Sequence, residues 1–344
     1  MTLLAADPRV PRRDALLRPE TMAGVLSQRL HAGVPVEACE RTYVKYRVGD
    51  SVRVVYRYRV GETTTFAAAR SGRSDGIPAP EVDAALYPFP HDRKLEALPR
   101  LPGELIAWAA EQSATARLDG AYAKVQRGDG ERHGLRALAD QDAVRVPRIL
   151  SDDDGVLTIE ALPGRRLDTL AGADRAAALR AFGETLARLH TGGANIKRDS
   201  PSLSFSRLEP ARLATAAEVI AAARPDAGDA ARRLVERLGE PPATEPVTIH
   251  GDANLGNAVL LDDGRVALLD LEHLAIGPAA ADVGQVVANA LVSGTSARAF
   301  LDGYGPIDRE ALAWYTAASL LARVALPAVS RVREDLLPRL VRLL

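Results

Sequence analysis

The sequence predicts an α+β protein in which strands dominate the first half and helices the second. Residues 42–70 (TYVKYRVGDSVRVVYRYRVGETTTFAAAR) run mostly at period two. There Val52, Val54, Tyr56 and Tyr58 alternate with Arg53, Val55, Arg57 and Arg59, between turn signals at Gly49-Asp50 and Gly61-Glu62. Residues 173–190 instead place Ala178, Leu179, Phe182, Leu186 and Leu189 on one face at spacings of three and four. Between 247 and 269 the chain returns to short apolar strands with polar residues at their ends.

The elements follow in order. A short helix is expected over 14–32, then a β-meander over 42–70 whose arginine face is expected to be wet. Residues 71–103, rich in Gly, Pro and Asp, read as a long connection that ends a first module. Leu105–Ala110, Ala114–Leu118 and Ala121–Gln126 are strand candidates, the last two joined at Asp119-Gly120. A helix over 130–140 and strands at Arg148–Leu150 and Val156–Ala161 precede a sharp break at Leu162-Pro163-Gly164. A helix at 173–190, a polar loop at 192–206 and an Ala/Arg-rich helix over 209–238, interrupted near Pro225, come next. Short strands at Val247–Ile249, Ala258–Leu261 and Val266–Leu269 lead into a helical remainder, broken near Gly303–Pro306 and at Pro327. Three units are expected: 1–100, 101–163 and 164–344.

Composition excludes several classes. With 344 residues, 47% apolar and 26% charged, the chain is long enough for a sizeable core. A net charge of −1 supplies no field for nucleic acid. The single cysteine, Cys39, excludes a disulfide framework and is expected to be a small buried residue. No uninterrupted apolar run reaches the span of a bilayer, and MTLLAADPRVPRRD lacks a charged leader, so no membrane partner and a cytoplasmic location are expected. Only Lys45, Lys94, Lys124 and Lys197 are lysines; the other 40 basic residues are arginines, so a lysine in a defined setting stands out.

The segment VTIHGDANLGNAVLLDDGRVALLDLEH, residues 247–273, carries the chemistry. Asp252 precedes Asn257 by five residues, and Asp270 follows Asn257 by thirteen, across a strand–turn–strand. Phosphoryl transfer from ATP needs a carboxylate to take the proton of the attacking hydroxyl, and an amide and a carboxylate to hold Mg²⁺. An Asp, four residues, an Asn and then a strand-end Asp is the spacing of that arrangement in kinases.

HGDANLGN followed by LLDLE resembles the aminoglycoside phosphotransferase and choline kinase-like family, which has a bilobal protein-kinase-like fold. GAYAKV with Lys124, IEALPGRRL, LARLH ending at His190, and GPAAADVG with Asp282 extend the resemblance over roughly residues 104–344. The first hundred residues are similar to the extra N-terminal α+β cap of some actinobacterial sugar kinases of this family, such as maltokinases.

The resemblance implies a β-rich N-lobe, a helical C-lobe, and a site for ATP and Mg²⁺. It makes Asp252 the catalytic or hydroxyl-orienting carboxylate, Asn257 and Asp270 the metal ligands, and His250 a buttress of the catalytic loop. Glu272 either reaches the metal through water or caps the next turn. Lys124 would contact the α- and β-phosphates, with Glu131 as its partner carboxylate unless Asp129 takes that part. Glu160–Leu162 would be the hinge whose backbone meets the purine. The turn AAEQSATA, residues 109–116, has no glycine where protein kinases have several, so Ser113 and the N–H groups of Gln112–Ala114 would serve the phosphates.

From residue 271 onward acids and arginines are equal in number, seven each, which does not favour a polycationic acceptor. A sugar-like acceptor is expected, with Trp314 or Tyr315 either stacking on the sugar or buried as helix core. An antibiotic-inactivating kinase and a non-catalytic nucleotide sensor are the alternatives. A metallophosphoesterase would need more histidines than the six present.

Overall fold

The computed structural model describes residues 3–139, 144–192 and 207–344. The polar loop expected over 192–206 lies, beyond Gly192, outside the described residues.

Helices α1 (Arg13–Leu16) and α2 (Pro19–Leu30) precede a first antiparallel sheet. Its strands are β1 (Ala38–Arg47), β2 (Ser51–Val60), β3 (Thr63–Ser71), β4 (Ile77–Ala79) and β5 (Ala84–Pro88), in the order β1-β2-β3-β5-β4. The meander is therefore longer than the sequence suggested, because 71–103 is only in part a connection. Proline hides β4 from sequence reading, yet β4 is an edge strand, where a missing N–H costs no ladder bond.

The second sheet contains β6 (Glu104–Ala109), β7 (Ser113–Leu118), β8 (Ala121–Gln126), β9 (Ile149–Asp153) and β10 (Val156–Glu160), in the order β6-β7-β8-β10-β9. Helix α3 (Gly130–Leu138) leaves β8. The two sheets share a core. Val55, Ala68, Ala85 and Tyr87 of the first meet Trp108, Ala114, Ala123 and Val125 of the second. The other face of β2, with Val52, Val54, Tyr56 and Tyr58, packs into a separate core with α2 and the C-terminal helices. Both faces of β2 are thus covered over its first half. The expectation of a wet arginine face fails at Arg53, which is 4% exposed, and holds for Arg57 and Arg59 beyond the sandwich, which pair with Glu40 and Glu37.

The rest is mainly helical. Two-residue β11 (Arg165–Arg166) precedes α4 (Gly172–Thr191), α5 (Pro210–Ala223) and α6 (Pro225–Leu238). Strands β13 (Ala258–Leu260) and β14 (Val266–Leu268) form a hairpin beside β11, and β12 (Pro246–Ile249) pairs antiparallel with β15 (Ala275–Pro278). Sequence reading missed β15, four residues short and ending in Gly-Pro. The chain closes with α7 (Ala279–Val292), α8 (Arg298–Tyr304), α9 (Arg309–Ser319), a π-helical turn at Leu320–Ala325, α10 (Leu326–Ser330) and α11 (Leu340–Leu343). Pro327 does not break the helix as expected. It lacks the N–H that an α-helix would give to the carbonyl of Arg323, and the wider turn absorbs the defect. The continuous stretch Arg309–Ser330, whose most apolar 18-residue window has a mean hydropathy of 1.4, is long and apolar enough to cross a membrane, but over half of that window is buried inside the protein.

Helices α4 and α8 touch backbone to backbone at glycine. A Cβ on Gly183 would lie 2.2 Å from the carbonyl oxygen of Phe300. Gly183→Ala is expected to lower stability by about 1–3 kcal/mol, seen as a lower urea midpoint with an unchanged slope.

Candidate active site

Strand β12 delivers the chain to His250, Gly251 and Asp252. The backbone turns through Gly251 at φ +74°, and a Cβ there would come 2.0 Å from the carbonyl oxygen of His273, so only glycine fits. Asp282, on the first turn of α7 and 1% exposed, holds this turn. Its Oδ2 accepts the N–H of His250 at 2.7 Å and its Oδ1 that of Gly251 at 2.9 Å. His190, at the end of α4, reaches Oδ2 through Nε2 at 3.1 Å, and its Nδ1 lies 2.9 Å from the Tyr304 hydroxyl. Burial pushes the Asp282 carboxyl up, but the hydrogen bond and charge of His190, with the hydrogen bond from the His250 N–H, outweigh it and hold the group below its ordinary value.

His250 is fully buried and buttresses the loop. Its Nε2 lies 2.8 Å from the carbonyl oxygen of Leu269, which can only accept, so Nε2 carries the proton. Its Nδ1 accepts the N–H of Asp252 at 3.3 Å.

Asp252 is held on one side. Its Oδ1 accepts from Gln285 Nε2 at 2.8 Å and from Arg323 Nη1 at 3.2 Å, while Arg323 Nη2 also donates to the carbonyl of Gly251. Its Oδ2 has only a long contact, 3.5 Å, from Asn257 Nδ2, which bonds the Asp252 carbonyl at 3.1 Å. Burial would raise the Asp252 carboxyl; the Arg323 charge and the Gln285 bond overcome it and keep it ionised.

Asp270 stands at the end of β14 in a left-handed conformation, φ +58°. Burial raises its carboxyl; Lys124 counters this, while Glu131, Glu272 and Asp252 add to it. Glu272 pairs with His273 at 2.7 Å, and Arg207 donates to His273 Nδ1 at 2.8 Å.

In the second sheet, Lys124 on β8 is bonded to both oxygens of Glu131, at 2.6 and 2.8 Å, and Glu131 is 1% exposed. Glu131 is therefore the partner that spacing left open, and Asp129 pairs instead with Arg132 at 3.2 Å. Ser113 opens β7 directly after the glycine-free turn. That turn is fastened to the first sheet. Glu111, at φ +63°, pairs with Arg53 at 3.0 Å, Arg70 at 3.3 Å and Arg93 at 3.1 Å, and Gln112 accepts from the Tyr43 hydroxyl at 3.0 Å. In the segment expected to be the hinge, Glu160 is engaged within the protein. Its N–H donates to Arg148 and its carboxylate pairs with Arg145 and Arg148. The N–H of Ala161 donates to Gly120, whereas that of Leu162 has no partner among the described residues.

Of the two alternatives for Trp314 and Tyr315, helix core is the one the structure shows. They are 7% and 5% exposed, and Trp314 donates to the carbonyl of Leu238 at 2.9 Å. Cys39 is half-buried rather than buried. Gln285, Arg323, Arg207 and Glu111 escaped sequence reading. Arg323 had a visible signal, as the only charge between Glu310 and Arg331.

A carboxylate with one oxygen nearly free, a lysine clamped by a buried glutamate and an acid at a strand end are residue types that phosphoryl transfer uses. The phosphotransferase enzyme family matches residues 107–315, and the chain belongs to it. It is a small-molecule phosphotransferase with an alcohol group as acceptor. No curated protein matches the chain. Among solved structures, an aminoglycoside-3'-phosphotransferase of type VIII is 22% identical, covering 66% of this chain and 97% of that one, with a TM-score of 0.50. A choline/ethanolamine kinase family protein from Mesorhizobium loti is 16% identical over 72% and 87%, with a TM-score of 0.50. A mutant aminoglycoside 2'-phosphotransferase IIIa in complex with GDP is 14% identical over 70% and 89%, with a TM-score of 0.52. These likenesses show the protein-kinase-like fold.

Asp282 titrates below its ordinary value of 3.8, so its contribution to stability is full above that pH and is lost as the pH falls through the lowered pKa. Asp282→Asn is expected to cost about 2–4 kcal/mol at neutral pH. It should also flatten the loss of stability that the wild type shows on acidification from about pH 5 to about pH 2, measured by urea midpoints.

Proposed function

We propose that the protein is an ATP- and Mg²⁺-dependent kinase that transfers the γ-phosphate to a hydroxyl of a sugar or sugar-containing metabolite. The observation that carries the reading is the half-engaged Asp252 carboxylate, with Oδ1 bonded twice and Oδ2 left for an incoming hydroxyl. The acceptor O–H donates to Oδ2. As its oxygen attacks the γ-phosphorus, the proton passes to Asp252 and the bond to the β-phosphate oxygen breaks, releasing ADP. Because Asp252 is held ionised and weakly basic, its main work is to aim the hydroxyl.

Lys124, fixed by Glu131, supplies a compact cation for the α- and β-phosphates. The turn at Gln112–Ala114 offers backbone N–H groups and the Ser113 hydroxyl to the phosphates, and Leu162 offers its N–H to the base. Asp270 and Asn257 suit Mg²⁺. The Asp270 carboxyl is crowded by Glu131, Glu272 and Asp252, has no hydrogen-bond or ion-pair partner among the described residues, and is pushed up. Hard oxygen donors in such a setting match a divalent cation, which would neutralise charge on the phosphate oxygens.

A sugar is favoured over a polycationic antibiotic by the charges beside Asp252. Arg323 lies 3.2 Å from its carboxylate, and the half-buried Arg207 guanidinium stands close enough to be felt by Asp252, Asp270 and Glu272. These two guanidinium groups offset the charge of the nearby carboxylates, so the acceptor side lacks the strongly acidic field that would hold a polycation. Choline is disfavoured because Trp314, Tyr315 and Phe300 are buried in helix packing and form no cage.

Purified protein with Mg·ATP should release ADP in the presence of one acceptor from a panel of glucose, glucosamine, maltose, aminoglycosides and choline. Asp252→Ala should lower kcat by about 10²–10⁴ and leave Mg·ATP binding intact. Asp270→Ala should abolish metal-dependent nucleotide binding, followed by calorimetry. Full turnover in Asp252→Ala would overturn the mechanism, and acceptor-dependent turnover with aminoglycosides alone would overturn the sugar assignment.

A further inference from the structure

Arg323 sits where a stability argument would not place a cation. The helix around it is apolar, its side chain is 10% exposed, and burial lowers its pKa to about 10. Its Nε is buried with no partner among the described residues. Two of its nitrogens are nonetheless committed to one place, the carboxylate of Asp252 and the carbonyl of Gly251. It lies inside the π-helical turn Leu320–Ala325, and such turns cluster at functional sites. Pro327, four residues on, cannot close an α-helical bond to its carbonyl.

We propose that Arg323 is a positioning residue of the phosphoryl transfer, which with Gln285 pins Asp252 Oδ1 and so keeps Oδ2 turned toward the acceptor hydroxyl. The inference rests on the catalytic reading of Asp252 given above. The chemistry suits the part. A guanidinium has donors only, so it cannot take the substrate proton in place of the carboxylate. Its fork spans the side chain of Asp252 and the backbone one residue earlier, which fixes the carboxylate relative to the loop that carries it. Gln285 donates to the same oxygen from a different helix, so the carboxylate is tethered from α7 and from the π-helical turn at once.

The test uses the full chain with Arg323→Gln and Arg323→Lys. Crystal structures of wild type and both variants, which need no acceptor, are expected to show Asp252 leaving its single rotamer in Arg323→Gln. With Mg·ATP and the panel acceptor that supports turnover, kcat should fall about 10–100-fold in Arg323→Gln, with the KM for ATP unchanged. Arg323→Lys, which restores the charge but not the fork, should fall between this variant and wild type, and it also serves if Arg323→Gln does not fold. An unmoved Asp252, or an unchanged kcat, overturns the positioning role. So does a loss of kcat that travels with KM for ATP and thermal stability, the mark of a merely structural residue. Full turnover in Asp252→Ala would instead overturn the catalytic reading, which separates the two failures.

Discussion

The candidate site depends on one buried carboxylate. Asp282 accepts two consecutive backbone N–H groups, from His250 and Gly251, and a ring nitrogen of His190. Those N–H groups belong to a turn that glycine alone can make, packed against the carbonyl of His273, so no ladder can satisfy them. An ionised group with three donors is the compensation such a turn requires inside a protein. Through it α4, α7 and the β12–β15 pair are tied to one point, and Asp252 emerges from that point. Tyr304 extends the network to α8.

The Lys124 side of the candidate site is built on the same principle with different parts. Lys124 and Glu131 join β8 to α3 through a buried ion pair, and Gln126 adds a third donor to the glutamate. Farther out, Glu111 gathers Arg53, Arg70 and Arg93 beneath the turn between β6 and β7. A turn without glycine is stiff, and here it is also anchored to the first sheet. The amino-terminal hundred residues thus help to hold the turn between β6 and β7, since Arg53 and Arg70 are both theirs.

Much of the site was legible because its members are close in sequence. Asp252, Asn257 and Asp270 lie on one strand–turn–strand, where spacing translates directly into geometry. Lys124 was conspicuous through the rarity of lysine, and Glu131, seven residues on, was in reach of a helix start. Gln285 and Arg323 come to Asp252 from 33 and 71 residues away, on separate helices, and no local pattern links them. The wet face assigned to β2 failed at Arg53 for the same reason. Alternation shows that a strand has two faces, whereas burial of the second face depends on the other sheet.

The sequence by itself determined the α+β class, the order of strands before helices, and the phosphotransferase constellation, because periodicity and short spacings are properties of neighbouring residues. The tertiary structure alone decided that Trp314 and Tyr315 belong to the core, that the Arg53 side of β2 is covered, that Pro327 sits within a widened helix, and that a guanidinium faces Asp252. Each of these depends on which surfaces meet, and packing between distant elements leaves no trace in the order of residues along either one.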